Sequence, residues 1–167
     1  MRARRDPTDG ATLLPVLGKP VILVESVLPK GDDGRRERDV APLTWEGRCK
    51  ARHKVATRAG REVGLALRTG TVLHPGDVLY RDDRLVIEVG GVPERMFVLA
   101  PATTADACLC CYQIGNLHRP IALDGPRIVT PYERALEAAI KRIGVPFEID
   151  ERVFTHAAPG GPARHAH

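Results

Sequence analysis

Thr130-Pro131-Tyr132-Glu133-Arg134-Ala135-Leu136-Glu137-Ala138-Ala139-Ile140-Lys141-Arg142-Ile143-Gly144 decides the fold of the second half of the chain. Thr130 reads as a helix N-cap, Pro131 as the first helical residue, and Glu133 as the group that closes a capping box. Leu136, Ala139, Ile140 and Ile143 recur at helical spacing and make one apolar stripe. Glu137 and Lys141 stand four apart, Arg142 suits the negative end of the helix dipole, and Gly144 is the stop.

Working outward, Met96-Phe97-Val98-Leu99 reads as a strand. Thr103 is placed to cap a second helix, with Asp106 at capping-box spacing, and that helix runs to about Gly115. Gly115 and Asn116 can take left-handed backbone angles, so the stop is assigned to them. Residues 120–123 and 127–129 flank Asp124-Gly125, a strong hairpin signal. Residues 145–154 can form a last strand. The order β-α-β-β-α-β is that of a ferredoxin-like domain, assigned to residues 93–154. Residues 155–167 show no periodicity and are expected to be a flexible tail; they carry His156, His165 and His167.

The first half has a different grammar. Residues 1–20 read as a flexible extension, basic at the start and then rich in Gly, Pro and Thr. Val21-Ile22-Leu23-Val24 is a short strand. Lys30–Asp39 is a charged run of mixed sign and reads as a solvated hairpin tip. From Trp45 the pattern alternates, with Arg48, Lys50, Arg52 and Lys54 on one face, about 6.6 Å apart in a strand. This is either a basic ridge for an acidic partner or the wet face of a half-covered sheet. His53 on the other face reads as a packed histidine. Ala59-Gly60-Arg61 and His74-Pro75-Gly76-Asp77 are turns between further short strands, with Pro75 placed for a type I or II turn. Residues 21–92 are thus expected to be an all-β domain, and the chain an α+β protein.

Composition bounds the function. The chain has 167 residues, 43% apolar but only 4% aromatic, so its core rests on aliphatic side chains. The formal charge of +4 is too small to demand nucleic acid. No stretch approaches the roughly 20 apolar residues of a membrane-spanning helix. Three of the four cysteines crowd into Cys108-Leu109-Cys110-Cys111, which is wrong for a disulfide framework and points to a reducing cytoplasm. There is no phosphate-binding loop, dinucleotide fingerprint, zinc-protease helix or nucleophile elbow.

Two kinds of chemistry remain open. Cys108–Cys111 contains a C-x-x-C pair, suited to redox or zinc chemistry, or simply to packing in a helix. His118 sits just beyond the helix stop in Gly115-Asn116-Leu117-His118-Arg119-Pro120. It is a metal ligand or a surface hydrogen-bonding residue. One imidazole holds a metal weakly, but a two-fold axis near His118 would supply two, and the tail histidines could add more.

Three stretches carry a resemblance to the UreE urease accessory protein family, the nickel metallochaperones of urease maturation. Gly70-x-Val72-Leu73-x-x-Gly76-Asp77-Val78-Leu79 is similar to the family's N-terminal β domain. Cys111-Tyr112-x-x-Gly115-Asn116-x-His118-x-Pro120 resembles its Y-H-L-G-N-R-H-x-P motif. Residues 131–154 are similar to its last helix and strand. Gln113 and Leu117 depart from the motif, standing where it has His and Arg. The resemblance implies a non-enzymatic, cytoplasmic homodimer that binds nickel through His118 of both protomers, completed by tail histidines: His156 first, then His165 and His167. It also implies, as partners, the urease accessory GTPase and the apo-urease accessory complex, with no membrane; the tail's three histidines, rather than a dense run, point to transfer of few ions rather than storage. Zinc or copper could enter such a site in vitro. A nucleic-acid-binding protein using residues 48–54 and a thiol-dependent enzyme using Cys108–Cys111 are the rivals.

Overall fold

The computed structural model describes residues 11–14, 20–31 and 34–155. It divides between Val92 and Pro93 into two compact units.

The first unit contains β1 (Ala11–Leu14), β2 (Val21–Val24), β3 (Glu37–Leu43), α1 (Trp45–Cys49), β4 (Arg52–Ala56), β5 (Glu62–Ala66), β6 (Val78–Arg81) and β7 (Leu85–Gly91). One sheet runs β1-β2-β5-β4 and the other β3-β7-β6. Both share one aliphatic core: Ile22 and Val24 from β2, Ala41 and Leu43 from β3, Val63 and Leu65 from β5, Ile87 and Val89 from β7. In β2 and β3 alternate residues face inward, as period-two side-chain geometry requires. Gly90 is needed where β3 and β7 run side by side, since a Cβ there would lie 2.4 Å from Val40 Cγ1. Gly76, at φ 83°, makes the His74–Asp77 turn a type II turn.

Three expectations change here. Residues 11–14, read as part of a loose extension, form β1 and pair antiparallel with β2, whose edge would otherwise be open. Glu37, Arg38 and Asp39 belong to β3 and not to a hairpin tip. Asp39 is 4% exposed and can be so because Arg61, 2.7 Å away, neutralises it while the backbone N–H groups of Val40 and Ala59 also donate to it. The alternating run from Trp45 is broken by α1, capped by the Thr44 hydroxyl, which accepts from Gly47 N. Arg48 is consequently 1% exposed, with its guanidinium toward the Leu73 carbonyl. Only Arg52 and Lys54 remain on an exposed strand face, so the four-cation ridge does not exist. The nucleic-acid reading loses Arg48 from its ridge, while Lys50, Arg52 and Lys54 stay exposed.

The second unit contains β8 (Glu94–Leu99), α2 (Thr104–Asn116), β9 (Ala122–Asp124), β10 (Arg127–Pro131), α3 (Arg134–Ile143) and β11 (Phe147–Arg152). Its sheet order is β11-β8-β10-β9, all antiparallel, which is the ferredoxin-like arrangement. The stripe of α3 (Leu136, Ile140) and the inner face of α2 (Cys110, Ile114) close on Phe97, Leu99 and Ile128 of the sheet. Together with the β-rich first unit this makes the chain an α+β protein.

The start of α3 differs from the sequence reading. Thr130 and Pro131 are not its cap and first turn; they pair with Phe97 and Met96 in the β10–β8 ladder. Tyr132 N extends that ladder to the Arg95 carbonyl at 2.9 Å. The helix begins at Arg134 with Glu133 as N-cap, and the Glu133 side chain makes no capping bond. Tertiary pairing has overridden a strong local signal. The stop holds: Gly144 is left-handed at φ 79° and donates to the Ile140 carbonyl.

Candidate metal centre

Helix α2 builds the site. Thr103 caps it with a full capping box: its hydroxyl accepts from Asp106 N at 3.1 Å, and its N–H donates to the Asp106 carboxylate at 3.1 Å. One face of the helix, Cys110 and Ile114, is completely buried. The opposite face carries Leu109 and Tyr112, 50% and 63% exposed, so sizeable apolar side chains look outward.

The helix end is a Schellman motif. Leu117 is the C-cap, His118 N donates to the Gly115 carbonyl at 2.9 Å, and Arg119 N reaches back to the Ile114 carbonyl at 3.1 Å. Such an ending demands one left-handed residue. That residue is His118 itself, at φ 53°, the only non-glycine with positive φ among the described residues. Gly115 and Asn116, assigned the stop from sequence, are ordinary helical residues. The left-handed conformation costs an L-residue roughly 1–2 kcal/mol, and glycine much less. A histidine therefore occupies the position that local energetics reserve for glycine.

Two straps fix the turn. The Arg119 guanidinium pairs with the Glu133 carboxylate at the start of α3. The Thr130 hydroxyl, 0% exposed, donates to the Pro120 carbonyl at 2.9 Å. His118 is exposed, and among the described residues its imidazole has no hydrogen-bond or ion-pair partner. A neutral imidazole offers one lone pair to a cation such as Ni(II), Cu(II) or Zn(II). The arrangement is thus one open donor on a braced turn, beside an apolar helix face.

Among the described residues there is no group of three or more His, Cys, Asp or Glu clustered to hold a metal. His156, His165 and His167 lie outside the described residues. His53 and His74 do not approach this role. Both ring nitrogens of His53 are buried without a partner, opposite Leu65. His74 is an exposed turn residue whose backbone N–H donates to Asp77 at 2.7 Å.

The cysteines are all free. Burial pushes the Cys110 and Cys111 thiols up, and neighbouring negative groups push further the same way. An activated thiol nucleophile needs the opposite shift, so neither is built for thiol-dependent catalysis. Arg119, Thr130 and Glu133 were not singled out as site residues by the sequence. Their only trace was the Arg-Pro pair and a Thr/Glu spacing that looked like a cap.

Against known families, residues 24–90 match the UreE urease accessory protein N-terminal domain, and residues 94–167 match the UreE urease accessory protein C-terminal domain. The urease accessory protein UreE of Deinococcus radiodurans is 37% identical over 118 residues, covering 71% of this chain and 76% of the relative. That of Synechococcus sp. (strain JA-3-3Ab) is 37% identical over 113 residues, covering 68% and 76%. That of Actinobacillus pleuropneumoniae is 27% identical over 153 residues, covering 91% and 82%. The chain belongs to the UreE urease accessory protein family. This is a family of accessory proteins that serve an enzyme and are not enzymes. No helix among the described residues is long and apolar enough to cross a membrane.

Proposed function

We propose that this protein is a nickel metallochaperone that delivers nickel during urease maturation. It works as a cytoplasmic homodimer in which His118 of each protomer binds the ion and tail histidines, His156 foremost and then His165 and His167, complete the shell. Family membership supports the urease role. The observation that carries the residue assignment is His118 at φ 53°: an exposed imidazole, without a partner among the described residues, held in a conformation that glycine would adopt more cheaply.

The dimer follows from ligand arithmetic and surface chemistry. One imidazole is a weak site, and among the described residues no group of three or more possible donors is clustered to hold a metal. A two-fold axis beside His118 supplies the second ligand by symmetry. The outward Leu109 and Tyr112 lie on the helix that His118 ends, and they give a second copy of this chain an apolar surface to cover. Partners in delivery are the urease accessory GTPase and the apo-urease accessory complex. An imidazole ligates only when neutral, so affinity falls as the solution is acidified.

Nickel titration by calorimetry, with the mass of the complex measured in parallel, tests this. The expected result is nickel bound by a dimer, with affinity lost in His118→Ala. If the wild type takes up no nickel, or His118→Ala binds as tightly, the proposal fails. Loss of affinity on truncation after Thr155 would assign the tail its share.

A further inference from the structure

We propose that Cys108 and Cys111 form a two-thiolate site for a thiophilic cation of the Cu(I), Zn(II) or Cd(II) kind, distinct from His118. Both lie inside α2, three residues apart, where side chains are neighbours with Cβ atoms about 5–6 Å from each other. Side chains on a helix lean toward its N-terminus, so Cys111 leans back over the turn that carries Cys108. Cys108 is exposed and Cys111 half-buried, so the pair sits on the shoulder between the wet and packed faces. Cys110 points the other way into the core and takes no part. The next position along the row is Gly115, where an added Cβ would meet no atom of the described residues within 4 Å, so none of them covers the row from that end. After burial, the Cys108 charge is the next cause raising the affinity of Cys111 for its proton, a coupling that reports proximity.

A disulfide needs Cβ atoms about 3.5–4.5 Å apart, less than regular i, i+3 spacing gives, and both thiols are free in this structure. Zinc–sulfur bonds of about 2.3 Å let one ion reach both sulfurs by side-chain rotation alone. On binding, each S–H bond gives way to a sulfur–metal bond, two protons pass to solvent, and no electron is transferred. Soft thiolates favour Cu(I) and Cd(II) and imidazole favours Ni(II), so those ions separate between the two sites, while Zn(II) suits both.

The inference needs no nickel and no second protomer's ligand, because both thiols belong to one helix of one protomer, although Cys108 lies one turn from Tyr112 on the face proposed for a second copy. Titrating Cd(II) into reduced, full-length protein without oxygen tests it. The expected result is an ultraviolet sulfur-to-metal charge-transfer band that saturates at one ion per chain and releases two protons. Cys108→Ser and Cys111→Ser should each remove most of the band while the helical circular dichroism is kept, and His118→Ala should leave it intact. No band in the wild type, a band that survives in the double serine variant, or its loss in His118→Ala would each overturn the proposal.

Discussion

Arg119 and Glu133 join the end of α2 to the start of α3 through one guanidinium–carboxylate pair. The pair sits one residue beyond His118. It also explains why Glu133 occupies an N-cap position without capping: its carboxylate is engaged by Arg119. Arg119→Ala should cost about 0.5–1 kcal/mol of stability, the range for a partly exposed ion pair. Nickel affinity should fall as well, because the turn bearing His118 loses one of its two straps. Chemical denaturation and nickel calorimetry on the same sample check both effects.

His118→Gly separates stability from ligation. Glycine accepts the left-handed backbone at little cost, so this variant should be as stable as the wild type or more so, by up to about 1 kcal/mol. His118→Ala keeps the strained conformation and should be the less stable of the two. Neither should hold nickel at this site. Thermal unfolding ranks the stabilities, and a glycine variant that unfolds well before the wild type would contradict the Schellman assignment.

Asp39 sets an acid limit on the first unit. Burial alone would raise its pKa, but hydrogen bonds from Thr57, Arg61 and the Ala59 and Val40 backbone outweigh it and hold the carboxyl below its usual 3.8. A folded-state pKa lower than the unfolded one adds stability that is present above the unfolded value and lost as pH falls through the folded one. Unfolding free energy should therefore drop as pH falls below 3.8. In Asp39→Asn that acid limb should flatten. At neutral pH the same variant should be less stable by about 1.5–3 kcal/mol, the scale of a charge-assisted hydrogen bond.

Gly90→Ala should destabilise the first unit by about 1–3 kcal/mol, because its methyl group would lie 2.4 Å from Val40 Cγ1. Val40→Ala removes the obstructing atom. The double variant Gly90→Ala/Val40→Ala should recover part of the loss, and a double-mutant cycle by thermal unfolding reads the coupling.

The second unit was largely legible in the sequence because its elements carry local signals that tertiary structure respects. The Thr103–Asp106 capping box, the Asp124-Gly125 hairpin and the Gly144 stop all occur as the residue types demand. What failed were local signals opposed by strand pairing. Thr130-Pro131 has the composition of a helix start, yet both residues are held in a ladder with Phe97 and Met96. Residues 45–49 alternate like a strand but form a short capped helix that takes Arg48 into the interior. Within the site, His118 was named from the sequence but its backbone was not. Glycine and asparagine stood nearby, and the statistics of helix ends favour them over histidine. Nor could the straps at Arg119 and Thr130 be read, since each depends on a partner brought close only by the folded chain.

The left-handed turn at His118 has one further consequence. The direction of its Cα–Cβ bond is set by backbone hydrogen bonds to Gly115 and Ile114, not by side chains packed around the ring. Orientation is fixed when the chain folds, while the ring remains exposed among the described residues. On the proposed nickel reading, an incoming ligand approaches an ion at His118 before the imidazole lets go. Exchange by association is then favoured over slow release, and the recipient sets the off-rate.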